Sequence, residues 1–175
     1  AGAFTLAKSY FLSLTDTTNL LDIFLIVILY HPQIPQNTGN IIRTCYATGT
    51  ELILVSPLGF KLDDKSLKRA GLDYYEKVKI TIIDDLAYYL SKNHLPVYFL
   101  SSKGKIPYTE TKYERDSIFI FGSEGSGLPL IFHEKWEAHF RTIPIKKNTR
   151  CLNLSNSVAI VLYEGLRQHN FAFID

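Results

Sequence analysis

The segment CLNLSNSVAIVLY, Cys151–Tyr163, decides how the rest of the chain is interpreted. Its first half is polar, and its second half is the apolar run Val158–Tyr163. The apolar residues follow the spacing of one helical stripe: Val158, Val161, Leu162 and Leu166. This spacing predicts a helix over Ser155–His169 with one buried face. Because polar side chains crowd directly against the start of that helix, we expect chemistry at this junction.

Two further polar segments share this character. PQNTGNIIR spans Pro35–Arg43 and FGSEGSGLP spans Phe121–Pro129, and each enters or leaves a strongly hydrophobic stretch. In an open parallel sheet, ligands bind beyond the carboxyl ends of the strands. Because all three polar segments follow or adjoin predicted strands, we expect them to meet at one edge of the sheet and to form a composite site.

Short apolar segments rich in β-branched or aromatic residues predict buried parallel strands. They are Phe24–Tyr30, Glu51–Ser56, Lys77–Ile83, Pro96–Ser102, Ser117–Gly122 and Arg141–Ile145. Helices are predicted between and after them, at Thr38–Thr48, Lys65–Leu72, Asp84–Asn93, Leu128–Ala138 and Ser155–His169. This alternation predicts an α/β domain with helices on both faces of a parallel sheet.

Composition narrows the class of protein. With 175 residues, of which 46% are hydrophobic, the chain is long enough for one well-packed domain and short for two. Cys45 and Cys151 lack metal-ligand spacing and an accompanying His/Cys cluster, so neither zinc nor a secreted disulfide scaffold is indicated. The apolar run Phe24–Tyr30 is far below the roughly 20 residues that span a bilayer. We therefore expect a cytoplasmic protein with no metal and no membrane partner.

Charge permits a nucleic-acid partner without establishing one. The net charge is only +2. Basic residues gather in three groups: Lys61, Lys65, Lys68 and Arg69; Lys103 and Lys105; and Arg141, Lys146, Lys147 and Arg150. These groups are either a phosphate-binding face or ordinary solvated charge at loops and helix surfaces.

Glycines in FGSEGSGLP allow the backbone to approach a ligand closely, and the loop is suited to a nucleoside. They are Gly122, Gly125 and Gly127. The loop is not a P-loop, since no Lys-Ser/Thr pair follows, and it lacks the spacing of the dinucleotide fingerprint. The alternative is a glycine-rich turn before a helix that begins near Leu128. The carboxylate of Glu124 inside the loop favours a functional role.

In PQNTGNIIR, Asn37 or Thr38 is available as the N-cap of a helix. Arg43 falls about one turn into that helix, where a guanidinium can hold a phosphate through two parallel hydrogen bonds. The alternative is a surface arginine on a capped helix.

In the third segment, Ser155 or Asn156 is available to cap the last helix. Capping by either residue does not explain why the polar residue Asn153 lies upstream of the helix among apolar neighbours. An amide without partners costs about 1–3 kcal/mol when it is buried. We therefore predict that Asn153 contacts a ligand.

In this order and at these separations, the three polar segments resemble the motifs of the SPOUT superfamily of methyltransferases. The resemblance covers Phe24–Asn170 and is carried by IVILYHPQIPQNTGNIIRTC, GFKLDDKSLKRAGLDY, FGSEGSGLP, RTIPI and CLNLSNSVAIVLYE. It is closest to the branch that methylates the ribose 2′-oxygen of the tRNA wobble nucleotide, a cytidine or a modified uridine. It implies a parallel-sheet α/β SPOUT fold with a C-terminal trefoil knot, the cofactor S-adenosyl-L-methionine, a homodimer, and tRNA as partner.

Carried over onto this sequence, the resemblance implies a cofactor site formed by Leu100, Gly122, Ile143 and Cys151. Leu100 and Ile143 would enclose the adenine by apolar contact while peptide groups bind its polar edge. Cys151 departs from the family pattern, in which serine is common at this position. A main-chain contact would survive that change, whereas a role for the serine hydroxyl would not.

The resemblance also implies a catalytic group made of Arg43, Asn153 and Glu124. Arg43 matches the arginine to which the family assigns the proton of the 2′-hydroxyl. Because a guanidinium stays protonated in proteins, we expect Arg43 to orient the hydroxyl and an adjacent phosphate, with the phosphate or water taking the proton. Asn153 would hold the substrate ribose or the loop around it, and Glu124 would brace the site.

The domain organisation follows from the span of the resemblance. Residues 1–23 are an N-terminal extension or a cloning-derived segment without the features of a signal peptide, residues 24–170 form one methyltransferase domain, and residues 171–175 are a C-terminal tail. Three alternatives stay open: the same chemistry on another RNA such as ribosomal RNA, a nonenzymatic RNA-binding module, and a nucleotide-binding domain acting on small metabolites. The last leaves the Arg43 segment unused and lacks a dinucleotide fingerprint after the first strand.

Overall fold

The computed structural model describes residues 24–62 and 77–172. In these ranges one sheet contains seven strands: β1 Phe24–Tyr30, β2 Glu51–Val55, β3 Ile80–Ile83, β4 Val97–Leu100, β5 Ile106–Pro107, β6 Asp116–Phe121 and β7 Phe140–Thr142. Their order is β3-β2-β1-β6-β4-β7-β5, and each neighbouring pair is parallel. The predicted α/β domain with a parallel sheet is confirmed.

The inner strand β1 is apolar along its length because both faces of the sheet are covered. Successive side chains of a strand point to opposite faces. Leu25, Val27 and Leu29 accordingly lie in one core layer, and Ile26 and Ile28 lie in the other. A two-sided core of this kind explains why the strand has no polar alternation.

The strand predictions are right in position and less accurate at the ends. β1 has the predicted bounds, whereas the predicted strand Lys77–Ile83 shortens to Ile80–Ile83. β5 was not predicted, because two residues give no periodic signal. It lies at the sheet edge, where Ile106 pairs with Arg141 of β7 and where the missing N–H of Pro107 is tolerated.

Four α-helices occur in the described ranges: α1 Pro35–Thr48, α2 Leu86–Lys92, α3 Leu130–Lys135 and α4 Leu154–Gln168. The predicted helix Leu128–Ala138 is shorter than expected, since α3 is followed by a separate 3-10 turn at Glu137–His139. The predicted helix Lys65–Leu72 lies outside the described residues. None of the helices in the described part of the chain is long and apolar enough to cross a membrane.

The predicted apolar stripe of the last helix is confirmed. Val158, Val161, Leu162 and Leu166 are all buried. They share a core layer with Ile41, Ile42 and Cys45 of α1. The first and last helices therefore pack on the same side of the sheet, and their N-terminal ends are brought to the carboxyl ends of the strands.

Candidate functional site

A cavity of about 830 Å³ opens at the carboxyl ends of the strands. Its walls come from the segments that follow β1, β4, β6 and β7, and from the start of α4. All three polar segments contribute: Asn37 from the first, the loop 121–128 from the second, and Cys151 and Asn153 from the third. The structure thus brings together residues that lie more than a hundred positions apart in the sequence, as the strand pattern predicted.

The glycine-rich loop after β6 closes on itself. Ser123 and Gly127 exchange two backbone hydrogen bonds, with N···O distances of 3.1 and 2.9 Å, and Gly127 has a left-handed φ of 68°. A Cβ on Gly122 would lie 2.6 Å from the backbone N of Leu128 and would also collide with the carbonyl carbon of Gly127. Glycine at position 122 is therefore required by the loop itself, in addition to any ligand.

Glu124 holds the N-terminus of α1. Its carboxylate accepts hydrogen bonds from the backbone N of Gln33 at 2.8 Å and of Ile34 at 3.2 Å, and from Nδ2 of Asn37 at 3.0 Å. An anion at a helix N-terminus is stabilised by the helix dipole and by the unpaired N–H groups there. These contacts join the glycine-rich loop to the start of α1, and the bracing role of Glu124 in the reaction stays a prediction.

Asn37 is the link between the other two segments, and the sequence interpretation did not include it in the site. It is 5% exposed, and its Oδ1 accepts a hydrogen bond from Nδ2 of Asn153 at 2.8 Å while its Nδ2 donates to Glu124. The side chains of Glu124, Asn37 and Asn153 therefore form one continuous hydrogen-bonded chain beside the cavity.

The predicted N-cap of α1 was wrong. The cap is Ile34, Pro35 occupies the first turn, and both Asn37 and Thr38 lie inside the helix. Pro35 is the sequence signal for this earlier start, since proline is favoured at the first position of a helix. The side chain of Ile34 cannot accept a hydrogen bond from the helix. The carboxylate of Glu124, from another part of the chain, accepts one from the backbone N–H of Ile34 instead.

Asn153 is itself the N-cap of α4, which corrects the prediction that Ser155 or Asn156 starts the helix. Its Oδ1 accepts hydrogen bonds from the backbone N of Ser155 at 2.9 Å and from Ser155 Oγ at 2.6 Å. With Nδ2 donating to Asn37, one amide N–H has no partner among the described residues. A ligand is thus not needed to explain the position of Asn153, although the residue lines the cavity and keeps one N–H without a partner among the described residues.

The residues expected to bind the cofactor all line the cavity: Leu100, Gly122, Ile143 and Cys151. Leu100 ends β4 and is 8% exposed, whereas Cys151 is exposed in the segment before α4. The other cysteine, Cys45, lies in the core, where burial raises the pKa of its thiol to about 12. Cys45 is therefore a packing residue and takes no part in the site.

Arg43 does not line the cavity of its own chain. It is exposed on α1, six residues after Asn37, which places it about 9 Å farther along the helix axis and about 120° around it. Its side chain has no hydrogen bond or ion pair with any residue in the described ranges. The structure therefore separates Arg43 from the other two predicted catalytic residues within one chain.

The predicted basic groups divide between structural and solvent-facing roles. Arg141 is half-buried, donates to the carbonyl oxygens of Ala138 and Phe140 and to Thr111, and lies over the Tyr98 ring. It serves packing. Lys103 and Arg150 are exposed and line the cavity, where the carboxylate of Glu124 is already occupied by three donors. These two cations make the cavity mouth attractive to an anionic ligand.

We expect Glu124→Gln to destabilise the protein by about 1–3 kcal/mol. A glutamine amide has only one acceptor oxygen for three donors, so at least one N–H of Gln33, Ile34 or Asn37 loses its partner. Denaturant unfolding monitored by far-UV circular dichroism would measure the change. Glu134→Gln, an exposed carboxylate on α3, is the matched control and should leave the midpoint unchanged. Equal midpoints for both variants would contradict the role given to Glu124.

Comparisons with known proteins agree with this geometry. The model of the SpoU rRNA Methylase family matches residues 24–163. The chain is 44% identical over 148 residues to the tRNA (cytidine(34)-2′-O)-methyltransferase of Methylovorus glucosotrophus, covering 83% of this chain and 96% of that protein. The described residues contain no cluster of side chains suited to a metal ion.

Solved structures show the same fold. A structure described as giving insight into the 2-OH methylation of C/U34 on tRNA is 38% identical, with a TM-score of 0.76 over 85% of this chain and 97% of that one. The SpoU methyltransferase AviRb of Streptomyces viridochromogenes, determined in complex with AdoMet, has 22% identity and a TM-score of 0.73 over 85% of this chain and 59% of its own. The chain therefore belongs to the SpoU rRNA Methylase family.

Proposed function

We propose that this protein is an S-adenosyl-L-methionine-dependent methyltransferase that modifies the ribose 2′-oxygen of the tRNA wobble nucleotide, a cytidine or a modified uridine. The observation that carries the proposal is the hydrogen-bonded chain of Glu124, Asn37 and Asn153, which joins the three polar segments beside one cavity. The similarity to a protein named for this reaction, at 44% identity over 83% of the chain, supports the choice of substrate.

The cavity has the properties that the cofactor requires. Its volume of about 830 Å³ lies within the usual range for small-ligand sites. Leu100 and Ile143 offer apolar surface for an adenine, and the backbone around Gly122 and Cys151 offers polar groups at the same opening. When bound, S-adenosyl-L-methionine supplies an activated methyl carbon, so the chain itself must position the attacking oxygen and manage its proton.

Different residues of the chain position the attacking oxygen and handle its proton. Glu124 and Asn37 fix the start of α1 against the glycine-rich loop, and the remaining N–H of Asn153 is available to a ribose oxygen. Arg43 orients the 2′-hydroxyl and a neighbouring phosphate through its planar guanidinium. The proton leaves to the phosphate or to water, since a guanidinium is already fully protonated.

A homodimer reconciles this role with the position of Arg43. Arg43 is exposed on α1 and does not line the cavity of its own chain. The neighbouring Tyr46 is 40% exposed, and Tyr163 of α4 is 45% exposed. We infer that these helices pair with a second copy, so that each Arg43 serves the cavity of the partner.

Mixed dimers test this pairing. When an Arg43→Lys subunit and a Gly122→Ala subunit are combined, the first keeps an intact cavity and the second keeps an intact arginine. When the two variants are mixed one to one, we expect about a quarter of the wild-type activity, because about half of the dimers are heterodimers and one of the two sites in each heterodimer is complete. Activity no higher than that of the two variants assayed separately would contradict an arginine supplied by the partner.

The trefoil knot of the SPOUT fold is part of the proposal. Support comes from the path after β7, where the chain returns across β4 and β6 to place Asn153 beside Asn37 at the end of β1. The glycine-rich loop 122–128 and residues 149–153 of this return segment line the same cavity. Acting on tRNA, the enzyme would work in the cytoplasm.

Ribosomal RNA is the second candidate substrate, because the matching family model carries a ribosomal RNA name. An assay with labelled methyl donor on total tRNA and, separately, on ribosomal RNA distinguishes the two. We expect label in tRNA alone. Label in ribosomal RNA alone would replace the proposed substrate, and label in neither would favour a nonenzymatic RNA-binding module.

A further inference from the structure

A second cavity, of about 480 Å³, lies beside the first. Lys103 and His133 line both cavities, so the two cavities adjoin at these residues. The second cavity lies between the segment that leads into β5 and the 3-10 turn after α3, and it includes Ile106 and Ala138. Nothing in the function proposed above uses it.

One wall of this second cavity is flat and fixed. The imidazole of His133 stacks on the ring of Phe140, with centroids 3.9 Å apart and an angle of 22° between the rings, and Phe140 is 4% exposed. Burial, and secondly the nearby Lys103, lower the pKa of His133, so its imidazole is neutral at neutral pH. Ile106, which is 37% exposed, adds apolar surface. Flat, neutral surfaces of this kind stack on nucleobases.

The polar groups of the cavity balance in charge. Lys105 and Glu137 form an ion pair with an N···O distance of 2.8 Å at the rim, and Lys103 and Glu134 add one charge of each sign. This balance disfavours a phosphate inside the second cavity and suits a neutral group with both donors and acceptors along its edge. Lys103 differs from the others because it also borders the first cavity.

We propose that the second cavity receives the base of a nucleotide directly adjacent to the one that is methylated, while the phosphate between the two nucleotides contacts Lys103. This inference rests on the proposed function and adds a determinant of substrate choice. Single-stranded loops allow neighbouring bases to be splayed apart and bound separately. Because the two cavities adjoin at Lys103 and His133, the ribose to be methylated can lie in the first cavity while the base of the neighbouring nucleotide lies in the second.

The test uses the full-length protein and an anticodon stem-loop RNA. Ala138→Phe fills the second cavity, and Lys103→Ala removes the proposed phosphate contact. We expect each variant to raise KM for the RNA about tenfold, with kcat within about twofold of wild type, and we expect Ala138→Phe to leave the cofactor Kd within about twofold as well. Lys92→Ala, an exposed lysine on α2 outside both cavities, is the control and should match wild type.

Two abasic RNAs test whether the second cavity binds a neighbouring base. One lacks the base on the 5′ side of the target nucleotide, and the other lacks the base on its 3′ side. For wild type and for Lys103→Ala, KM should be about tenfold higher for one of these two abasic RNAs than for the intact stem-loop. For Ala138→Phe, the same abasic RNA should give no higher KM than the intact stem-loop. Equal penalties in wild type and Ala138→Phe, or an unchanged KM in Ala138→Phe, would overturn the subsite while leaving the proposed function intact. A raised cofactor Kd in both variants would assign the cavity to the cofactor instead. Failure of the wild type to methylate tRNA would overturn the proposed function, and the subsite with it.

Discussion

Replacing Arg43 by lysine should lower the rate of methyl transfer by about 100-fold or more while leaving the cofactor Kd within about twofold of wild type. Lysine keeps the positive charge but lacks the planar fork that holds a phosphate and a hydroxyl in fixed geometry. Arg43 does not line the cavity of its own chain, and its proposed contacts are to the RNA hydroxyl and phosphate rather than to the cofactor, so its loss should leave cofactor binding in place. Single-turnover methylation and calorimetry of cofactor binding measure the two quantities separately.

Arg115→Lys is the matched control for this variant. Arg115 lies just before β6, at the end of the sheet opposite the cavity, and its replacement should leave the rate of methyl transfer unchanged. Parallel loss of cofactor binding and activity in Arg43→Lys would show that the arginine supports the cavity rather than the reaction. Full activity would remove Arg43 from the mechanism.

Gly122→Ala should have the largest effect on the cavity itself. The added Cβ would lie 2.6 Å from the backbone N of Leu128 and 2.7 Å from Cα of Gly127, and backbone atoms cannot turn aside as a side chain can. We expect the free energy of unfolding to fall by about 1–3 kcal/mol. Displacement of the loop should also weaken cofactor binding about tenfold or more, equivalent to about 1.4 kcal/mol.

Gly125→Ala provides a comparison within the same loop. A Cβ at position 125 meets no atom within 4 Å, so this substitution should leave the free energy of unfolding unchanged. Denaturant unfolding of the two variants, side by side, separates crowding from any general effect of removing glycine. If Gly122→Ala unfolds at the wild-type denaturant concentration and binds cofactor normally, the close approach of 122 to 127 is not a constraint on the loop.

Local patterns in the sequence predicted most of the fold. The apolar run of β1 and the helical stripe of α4 are each contained in one continuous segment, and both were located correctly. The two-residue strand β5 exists only because it pairs with β7, so no local pattern announces it. Element ends were less accurate because capping depends on partners elsewhere in the chain.

The hydrogen bonds of the site show this limit most clearly. Glu124 accepts from the backbone of Gln33, which lies 91 positions earlier, and no spacing in the sequence indicates that contact. Asn153 was recognised as unusual but was assigned a ligand, because Ser155 and Asn156 are equally good capping residues. Only the structure decides among these three candidates, and it makes Asn153 the cap.

The position of Arg43 was beyond sequence reasoning for a different reason. Its segment lies at the site, but the helix carries residue 43 around to another face. The sequence of one chain contains no pattern that indicates which surface of a second copy it meets. The proposed role of Arg43 therefore depends on the proposed dimer, and the mixed-dimer experiment addresses it directly.

The most direct test of the central proposal is to map the methylated nucleotide on native tRNA by mass spectrometry after reaction with the wild-type protein and S-adenosyl-L-methionine. The proposed function predicts a single added methyl group on the ribose of the wobble nucleotide. A methyl group on a base, on another nucleotide, or on no tRNA at all would contradict it.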